Sequence, residues 1–225
     1  MKISYAITTH NEVEEVKQLI PFVYEHKKEE DEIIVLDDFS VEEMEEVLNK
    51  FYDDGYVTMW QRRELQRDFA AQKNYAKEMC TGDYIFHLDA DEMPSEFLIT
   101  NLHQILESND NVDLIWVPRI NTVDGLTHEH IVEWNWRVND KGWINFPDPQ
   151  ARIFRNTEDI KWASRVHENI VGCDVISQLP HKEEFCLYHH KNIEKQELQN
   201  NLYGEIINEV KNTFVDTQKN YSKES

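Results

Sequence analysis

Hydrophobic positions in the first half of the chain follow two alternating patterns. The segment Ile3–Thr8 is a short apolar run that turns polar at its end, which predicts a buried β-strand. The next segment, Glu12–His26, carries apolar residues three and four positions apart, which is the spacing of one helix face. Strand and helix patterns then continue to alternate along the chain as far as residue 119.

This repeated alternation defines the expected fold class. Further strands are predicted at residues 32–40, 56–60, 83–91 and 112–119, and further helices at residues 41–52, 68–80 and 95–108. Strands separated by helices of this length form βαβ units, whose right-handed crossovers cover both faces of a parallel sheet. We therefore expect an α/β fold with a mostly parallel sheet and helices on both faces.

The second half of the chain has a different pattern. Residues 121–149 are rich in Trp, Asn and His and predict irregular strands and loops. Short strands are predicted within residues 151–155, 162–172 and 184–191, followed by an acidic helix at 194–214 and a frayed tail at 217–225. We expect a single domain over residues 1–225, composed of a ligand-binding half (1–120), a variable half (121–190) and a closing helix with its tail (191–225).

The charge of the chain narrows the classes of partner. Its 44 Asp and Glu residues against 23 Lys and Arg give a formal net charge of −21. Such a surface repels phosphate backbones and anionic lipid headgroups, so stable binding to nucleic acid or to an anionic membrane is not expected. A small anion bound through a metal ion and a few basic residues is compatible with this charge.

Cysteine usage and the N-terminal sequence indicate a cytoplasmic location. Cys80, Cys173 and Cys186 are odd in number and show no C-x-x-C spacing, which argues against a disulfide framework or a structural zinc site. The N-terminal segment turns polar by Thr8, which is too early for a signal peptide. No stretch approaches the ~20 apolar residues of a transmembrane helix. We therefore expect a soluble intracellular protein without a transmembrane segment.

Polar clusters follow three of the predicted strands. The first strand ends in TTHNE (residues 8–12), the second in DDFS (residues 37–40) and the fourth in DADE (residues 89–92). In open α/β sheets, ligands bind beyond the carboxyl ends of the strands, where loops from several strands converge. The three clusters together predict a binding crevice at that edge.

Asp89 and Asp91 are the candidate metal ligands of this crevice. They are two residues apart, so their carboxylates leave the same side of the strand if the strand geometry persists. Two converging carboxylates repel each other, and a hard divalent cation such as Mg²⁺ or Mn²⁺ relieves that repulsion while it binds phosphate oxygens. The pair therefore predicts a metal ion that arrives with a diphosphate. The alternative is a solvated turn or a helix cap, for which Ser95 is the more natural residue.

These motifs, in this order, resemble the GT-A glycosyltransferases and in particular the large inverting family 2. Members of that family have a first strand ending in Thr-x-x-Asn-Glu, an Asp-Asp-x-Ser-like turn and a D-x-D motif after the fourth strand, as TTHNE, DDFS and DADE provide here. The chain also resembles the subgroup related to lipopolysaccharide-core β-glucosyltransferases, whose R-x-F-R, V-H-E and late His motifs match residues 152–155, 166–168 and 189.

The resemblance covers nearly the whole chain and implies an activity. It implies a GT-A fold and an inverting transfer of a sugar from a nucleotide diphosphate, UDP by family habit, to a hydroxyl acceptor. The acceptor is a glycan, a lipid-linked molecule or another hydroxyl compound that the sequence does not identify. The cofactor implied is Mn²⁺ or Mg²⁺, held by Asp89, Asp91 and His189.

The donor-binding residues implied by the resemblance lie in the first half of the chain. Thr8, Asn11 and Glu12 would line the nucleoside pocket, and Asp38, with Asp37 beside it, would hold the uracil or ribose. Carboxylate and amide groups suit imide N–H groups and sugar hydroxyls. The alternative for Asn11 and Glu12 is a helix cap, and for the Asp pair it is an Asx-turn in which one carboxylate is structural.

A basic cluster in residues 62–74 gives the candidate diphosphate contacts. A diphosphate with one divalent cation still carries negative charge, so a nearby Arg or Lys is expected. By analogy with the family, Arg67 and Lys73 are the candidates. The alternative for each is a solvated helix face.

Inverting transfer also needs a base for the acceptor hydroxyl on the opposite side of the anomeric carbon. The candidates are Glu168, which matches the V-H-E pattern, and Asp148, which lies between two prolines and is more typical of a rigid turn. Asp91 is assigned to leaving-group stabilisation through the metal. His167, Trp134 and Trp136 are candidates for acceptor contacts or for packing behind the catalytic groups, and burial in the core is the alternative for the tryptophans.

Other functional classes fit the sequence less well. Haloacid-dehalogenase phosphatases carry D-x-D on their first strand, and nucleotidyltransferases of related fold open with a Gly-rich loop that TTHNE lacks. A catalytically inactive nucleotide-sugar-binding or scaffold protein is the non-enzyme alternative, and the three intact acidic clusters argue against it. A modified DNA acceptor is disfavoured by the net charge of −21.

Overall fold

A computed structural model describes residues 1–206 of the chain. The first half contains β1 (Ile3–Thr9), α1 (Val13–His26), β2 (Glu32–Asp37), α2 (Glu42–Asp53), β3 (Met59–Arg62), α3 (Phe69–Glu78), β4 (Tyr84–Asp89), β5 (Glu92–Pro94), α4 (Glu96–Glu107) and β6 (Leu114–Val117). The second half contains β7 (Arg119–Asp124), α5 (His128–Glu133), β8 (Gln150–Arg155), β9 (Lys161–Ala163), β10 (Asn169–Val171), β11 (Ile176–Gln178) and β12 (Leu187–Asn192). A helix designated α6 occupies residues 193–206.

The main sheet has seven strands in the order β11-β6-β8-β4-β1-β2-β3. All neighbouring pairs are parallel except those of β8, which runs antiparallel to β4 and β6. Residue Thr8 on β1 is in register with Asp89 on β4, so the ends of these two strands meet at one edge. Because β8 is reversed, its first residues lie at that same edge. The predicted mostly parallel α/β sheet is confirmed.

The apolar patterns of the first half have a direct counterpart in the core. β2 is buried at every position, as expected for a parallel strand covered on both faces. Helix α1 buries the stripe Val13, Val16, Leu19, Ile20 and Val23 against the sheet, and α4 begins at the predicted cap, where Ser95 accepts a hydrogen bond from the Leu98 amide. Helical spacing and capping chemistry therefore located these elements correctly.

Pro118 divides one predicted strand into two. The run at residues 112–119 was expected to form a single strand, but β6 ends at Val117 and β7 starts at Arg119 in a different sheet. Proline has no amide hydrogen to donate to a strand ladder, so it marks the point at which the chain changes sheets. The second sheet has the order β5-β12-β7 and is not a βαβ unit. This small sheet carries several side chains of the site described below.

Three other boundaries differ from the sequence pattern. The third strand is β3 at Met59–Arg62 rather than residues 56–60, because Tyr56 packs against Phe51 at the end of α2. Within residues 121–149, predicted as irregular, the chain forms the short helix α5. Residues 162–172, predicted as strand, form most of the antiparallel β9–β10 pair with a turn between. The closing helix is described as far as residue 206, and the predicted frayed tail lies outside the described residues.

No helix in the described part of the chain, residues 1–206, is long and apolar enough to cross a membrane.

Candidate active site

A cavity of about 1040 Å³ opens at the carboxyl edge of the main sheet. Its floor comes from the ends of β1 and β4, and its walls come from β7, β12, the start of β8 and the segment after β9. Helix α6 forms a further wall through Lys195, Gln199 and Tyr203. The topology explains the position of the cavity, because the carboxyl ends of parallel strands leave a crevice that loops surround.

Most of the predicted site residues line this cavity. Eleven of the candidates do so: Thr8, Asn11, Glu12, Asp38, Lys73, Asp89, Asp91, Trp136, His167, Glu168 and His189. The candidate base Asp148 lines it as well. Residues separated by more than 100 positions in the sequence are thus brought together around one volume, while Asp37, Arg67 and Trp134 do not line it.

Asp89 is held by basic side chains at the end of β4. Its Oδ2 accepts a hydrogen bond of 2.5 Å from Arg152 Nη2, and its Oδ1 lies 3.4 Å from Lys73 Nζ and 3.1 Å from the Thr8 hydroxyl. Burial alone would raise the pKa of Asp89, but the charges of Arg152 and Lys73 hold it well below its ordinary value. Asp89 is therefore a fixed anion whose two oxygens already have cationic partners.

Asp91 has a different set of partners. Its Oδ2 lies 3.4 Å from His189 Nε2, 3.3 Å from Lys195 Nζ and 3.8 Å from Lys191 Nζ. Burial opposes ionisation, but the basic neighbours His189, Lys191 and Lys195 hold the pKa of Asp91 below its ordinary value. Asp91 is therefore also ionised, within a group of side chains drawn from β12 and α6.

The side chains of Asp89 and Asp91 do not leave the same face of one strand, although their spacing predicts that they do. Strand β4 ends at Asp89, and Ala90 and Asp91 form a turn that leads directly into β5. The alternation of side chains that the spacing argument requires stops with the strand. Both carboxylates still reach the cavity, but each meets separate partners.

A buried ion network connects Asp89 to the opposite wall. Glu92 on β5 accepts hydrogen bonds of 2.6 Å from Arg152 and 2.7 Å from Arg119 through the same oxygen, Oε1. Arg119 Nε and Nη2 donate to Asp148 Oδ2 at 2.9 and 2.8 Å. Burial raises the pKa of Glu92, but the charge of Arg152 is the largest of the opposing effects and the net shift is downward. These side chains pair each other's charges across the cavity wall, while the buried Nε of Arg152 has no hydrogen-bond partner in the described part of the chain.

The candidate base Glu168 lies beside Lys73. Lys73 Nζ is 2.6 Å from Glu168 Oε1, and only 16% of the Glu168 side chain is exposed. Burial raises the pKa of Glu168, but the charge and hydrogen bond of Lys73 outweigh it and lower the pKa overall. Asp148, the other candidate, is occupied by Arg119, Asn121 and Gln150. Glu168 thus has an ion pair on Oε1, whereas both oxygens of Asp148 accept hydrogen bonds.

Polar residues that follow β1 and β2 form a further part of the cavity lining. Asn11 has φ +68 and accepts a hydrogen bond from the Val41 amide through its side chain, which ties the β1 loop to the β2 loop. Glu12 accepts from the His10 amide and the Thr9 hydroxyl and lies 3.3 Å from Lys195. The side chain of Asp38 accepts a hydrogen bond from the Leu65 amide, while burial raises its pKa. These contacts hold the loops that a nucleoside would meet.

The prediction that Asp37 binds the donor is corrected by the structure. Its side chain is fully buried and accepts a hydrogen bond of 2.8 Å from Arg62 Nε. It also accepts hydrogen bonds from the Ser40 amide and hydroxyl. These contacts are those of an Asx-type turn, which was the alternative interpretation of the Asp pair. Asp37 supports the turn that presents Asp38.

Arg67 and Trp134 are also displaced from their predicted roles. Arg67 has φ +55 in the turn before α3, does not line the cavity and lies 3.4 Å from Glu205 on α6. Trp134 stacks on His130 with a centroid distance of 5.0 Å and packs against Trp136 at 4.7 Å. Trp134 thus packs against Trp136. Of the two diphosphate candidates, Lys73 lines the cavity and Arg67 does not.

Several cavity residues were not identified from the sequence. They are Arg119, Asn121, Arg152, Lys191, Lys195 and Tyr203. Two signals were present. Arg152 is the first Arg of the R-x-F-R motif, and Lys191 follows His189 by two positions, which places both on one face of a strand. Several basic side chains of this acidic protein therefore lie around one cavity, and their charge favours binding of an anion.

The site provides suitable but few metal ligands. Asp91 and His189 offer an oxygen and an imidazole nitrogen 3.4 Å apart, a donor set compatible with Mn²⁺ or Mg²⁺. Within residues 1–206 no group of three or more His, Cys, Asp or Glu side chains is arranged to hold a metal ion. A cation at this pair therefore requires further ligands, and Mg²⁺ in proteins commonly takes these from phosphate oxygens and water.

Comparisons with known proteins identify the family. Residues 4–183 match the family model for glycosyl transferase family 2. The chain belongs to this family. A segment of 109 residues, 48% of the chain, is 29% identical to the uncharacterized glycosyltransferase RP128 of Rickettsia prowazekii and covers 34% of that protein. The protein RC0292 of Rickettsia conorii shows the same identity over the same length, and the segment covers 36% of it. The matched segment thus spans about a third of these relatives.

Solved structures show the fold of this family 2 member. The crystal structure of S. aureus TarS 1-349 matches with a TM-score of 0.60 and 14% identity, covering 84% of the chain and 60% of that structure. TarS 1-349 in complex with UDP-GlcNAc matches with the same TM-score and 15% identity, covering 85% and 59%. At this identity the likeness concerns the fold alone, and it confirms the expected GT-A architecture.

Proposed function

We propose that this protein transfers a sugar from a UDP-sugar to a hydroxyl acceptor, with a divalent cation and with inversion at the anomeric carbon. The observation that carries the proposal is the arrangement of the cavity. It brings the ionised Asp91 with His189, the basic residues Lys191 and Lys195, and the Glu168–Lys73 pair around one volume of about 1040 Å³. An anionic leaving group and a base are the two requirements of this reaction.

Positive charge in the cavity would stabilise the leaving group. As the bond between the anomeric carbon and the diphosphate oxygen breaks, its electron pair goes to the diphosphate, which gains negative charge. Lys191 and Lys195 lie at Asp91, and such fixed cations stabilise charge that develops in a transition state. A Mn²⁺ or Mg²⁺ held by Asp91 and His189 would add Lewis-acid stabilisation to the same oxygens. Asp89, the third predicted ligand, would have to exchange an ion pair with Arg152 or Lys73 to join it.

The acceptor hydroxyl needs a base. Its hydroxyl oxygen forms the new bond to the anomeric carbon, and its proton passes to the carboxylate of Glu168, so that charge and atoms balance. Glu168 is ionised and lines the cavity, whereas the oxygens of Asp148 are occupied by Arg119, Asn121 and Gln150. We assign Glu168 as the base. A base opposite the leaving group produces inversion.

The fold and the cavity lining favour a uridine nucleotide as the donor. Structures of S. aureus TarS, which has the same fold, exist with UDP-GlcNAc and with UDP. The predicted nucleoside residues Thr8, Asn11 and Asp38 all line the cavity. Carboxylate and amide groups at these positions suit the imide N–H of uracil and the ribose hydroxyls. We infer that UDP is the nucleotide. The sugar and the acceptor are left open by this assignment.

The test is a thermal-shift panel of nucleotide sugars with and without Mn²⁺, followed by an assay for released UDP. A ligand at about 100 times its Kd stabilises a protein by about 2.7 kcal/mol, so a UDP-sugar is expected to raise Tm only in the presence of the cation. Asp91→Asn is expected to abolish both the cation-dependent shift and UDP release. Equal shifts with and without Mn²⁺, or an unaltered Asp91→Asn variant, would contradict the proposal. Asp113→Asn, which changes an Asp outside the cavity, is the matched control.

A further inference from the structure

A chain of hydrogen bonds reaches His189 from the side opposite Asp91. Asn121 Nδ2 donates to Asp148 Oδ2 at 2.6 Å, and Asn121 Oδ1 lies 2.7 Å from His189 Nδ1. Asp148 itself is paired with Arg119. The small sheet produces this alignment, because His189 on β12 is in register with Asn121 on β7. Two residues separated by 68 positions thus face each other across a strand pair.

The direction of these hydrogen bonds is fixed by chemistry. A carboxylate paired with a guanidinium only accepts hydrogen bonds, so the amide nitrogen of Asn121 must face Asp148. The amide oxygen of Asn121 must then face His189, and an oxygen without a hydrogen requires that the ring nitrogen Nδ1 be the donor. The hydrogen of the neutral ring therefore belongs to Nδ1, and Nε2 keeps its lone pair.

The free nitrogen faces the aspartate of the proposed metal site. Nε2 of His189 lies 3.4 Å from Oδ2 of Asp91. A lone pair and a carboxylate oxygen do not attract each other, but both are donors to a cation. Histidines that bind metals commonly donate their other ring N–H to a carboxylate, carbonyl or water, which fixes the tautomer and the ring orientation. An amide oxygen occupies that position here.

We propose that Asn121 is a positioning residue that holds His189 through Nδ1, so that Nε2 stays free to bind, together with Asp91, a divalent cation. This inference rests on the proposed function, because the cation is the one that accompanies the diphosphate. Asp148, which had been a candidate base, acts in this arrangement by orienting Asn121. Its backbone φ of +38, unusual for a residue other than glycine, shows that the fold holds Asp148 in a strained conformation.

The first experiment measures Mn²⁺ affinity in the presence of UDP by electron paramagnetic resonance, which detects free Mn²⁺ without requiring turnover. Asn121→Leu keeps the number and branching of the side-chain heavy atoms but cannot accept the Nδ1 hydrogen, so its affinity for Mn²⁺ is expected to fall by about 10- to 100-fold, as for other partners of metal-bound histidines. Asn101→Leu, at an amide that bonds the Phe97 carbonyl on α4 outside the cavity, is the matched control and should bind as the wild type does.

A double substitution distinguishes loss of the hydrogen-bond acceptor for His189 from damage to the fold. In the variant N121D/D148N, the carboxylate at 121 can accept from both Nδ1 and the amide at 148, so Nδ1 regains an acceptor while the hydrogen bond between positions 121 and 148 runs in the opposite direction. We expect this variant to recover most of the Mn²⁺ affinity lost in Asn121→Leu. An affinity as low as that of Asn121→Leu in a folded N121D/D148N protein would contradict the inference.

The tautomer gives a readout in the absence of metal. Long-range ¹H–¹⁵N correlation spectra of the metal-free wild type should show the His189 hydrogen on Nδ1, and Asn121→Leu should lose this preference. A hydrogen on Nε2 in the wild type would overturn the inference. If the wild type binds no Mn²⁺ with UDP, both the metal dependence of the proposed function and this inference fail. If the wild type and Asn121→Leu bind Mn²⁺ equally, only the role of Asn121 fails.

Discussion

The ammonium group of Lys73 lies 2.6 Å from the carboxylate of Glu168, inside a cavity wall where only 6% of the lysine side chain is exposed. The same ammonium is 3.4 Å from Asp89 and lies over the ring of Trp162 at 4.7 Å. One buried cation therefore joins the first aspartate of the D-x-D motif to the proposed base. Since Lys73 keeps Glu168 ionised, its removal should change the pH range of the reaction.

Lys73→Met is expected to move the acidic limb of the kcat/KM profile to higher pH. In the folded protein burial raises the pKa of Glu168 and Lys73 lowers it, so without Lys73 the effects of burial and of the Asp89 charge predominate and the pKa rises. The base is then protonated at a pH where the wild type is active. Initial rates of UDP release between pH 4 and 9 measure the shift, with Lys77→Met on the same helix as the control. An unchanged limb would exclude Glu168 as the titrating base.

Glu168→Gln is expected to reduce kcat by about 10²–10⁴-fold while nucleotide binding is retained, because general base catalysis contributes a factor of that size. Isothermal titration with UDP and Mn²⁺ measures the binding. Asp148→Asn provides the contrast, since we expect it to weaken Mn²⁺ affinity through Asn121 and His189. If Asp148→Asn instead lowers kcat with normal Mn²⁺ affinity, and Glu168→Gln does not, the two assignments must be exchanged.

The first half of the fold was predictable because each of its elements is a local pattern. Fully buried β2 and the apolar stripe of α1 need no knowledge of distant residues to be recognised. The second half was less predictable because its elements depend on remote partners. The sequence predicts a strand at the position of β12, but not its pairing with β5 on one side and β7 on the other. In the same way, β7 begins where Pro118 ends β6. Periodicity does not report pairing of this kind.

The residues of the site also divide into those that the sequence could predict and those that it could not. The residues that follow β1 and β4 could be predicted, because the edge at which parallel strands end is a consequence of topology. The ion partners could not, because Arg152 reaches Asp89 across 63 positions and Lys73 reaches Glu168 across 95. The spacing of Asp89 and Asp91 misled because the strand ends between them. Spacing arguments hold only while an element continues.

Arg152→Met is expected to destabilise the protein by about 3–5 kcal/mol, the usual cost of leaving buried charges without their partner. Only 4% of the Arg152 side chain is exposed, and it is the shared partner of Asp89 and Glu92. Urea denaturation at pH 7 measures the change in the free energy of unfolding. Arg155→Met is the matched control on the same strand, since Arg155 is 31% exposed and its pair with Asp113 is longer, at 3.4 Å. A loss for Arg152→Met no larger than that for Arg155→Met would show that the buried network contributes little.

His87→Gln is expected to make stability less sensitive to mild acid. Burial lowers the pKa of His87 in the folded protein to about 4, from an ordinary value of about 6.5. Between these two values the unfolded chain binds a proton that the folded protein does not, so stability falls as pH falls. Between pH 7.5 and pH 5 this group accounts for a loss of roughly 2 kcal/mol. Urea denaturation of both proteins at these pH values tests it, and equal losses would contradict the assignment.

Trp136→Ala is expected to weaken acceptor use without affecting the donor. Trp136 lines the cavity from the segment that follows α5, where an aromatic face can stack on an acceptor ring, whereas Thr8 and Asp89 lie at the ends of β1 and β4. Its contribution should appear as a loss of acceptor affinity worth about 1 kcal/mol or more, with an unchanged Kd for UDP. Trp134→Ala is the matched control, because Trp134 packs on Trp136 but does not line the cavity, and its effect should be smaller. The measurement compares KM for a panel of saccharide acceptors with KM for the donor. An equal effect of the two variants, or an increase in donor Kd for Trp136→Ala, would place the acceptor elsewhere.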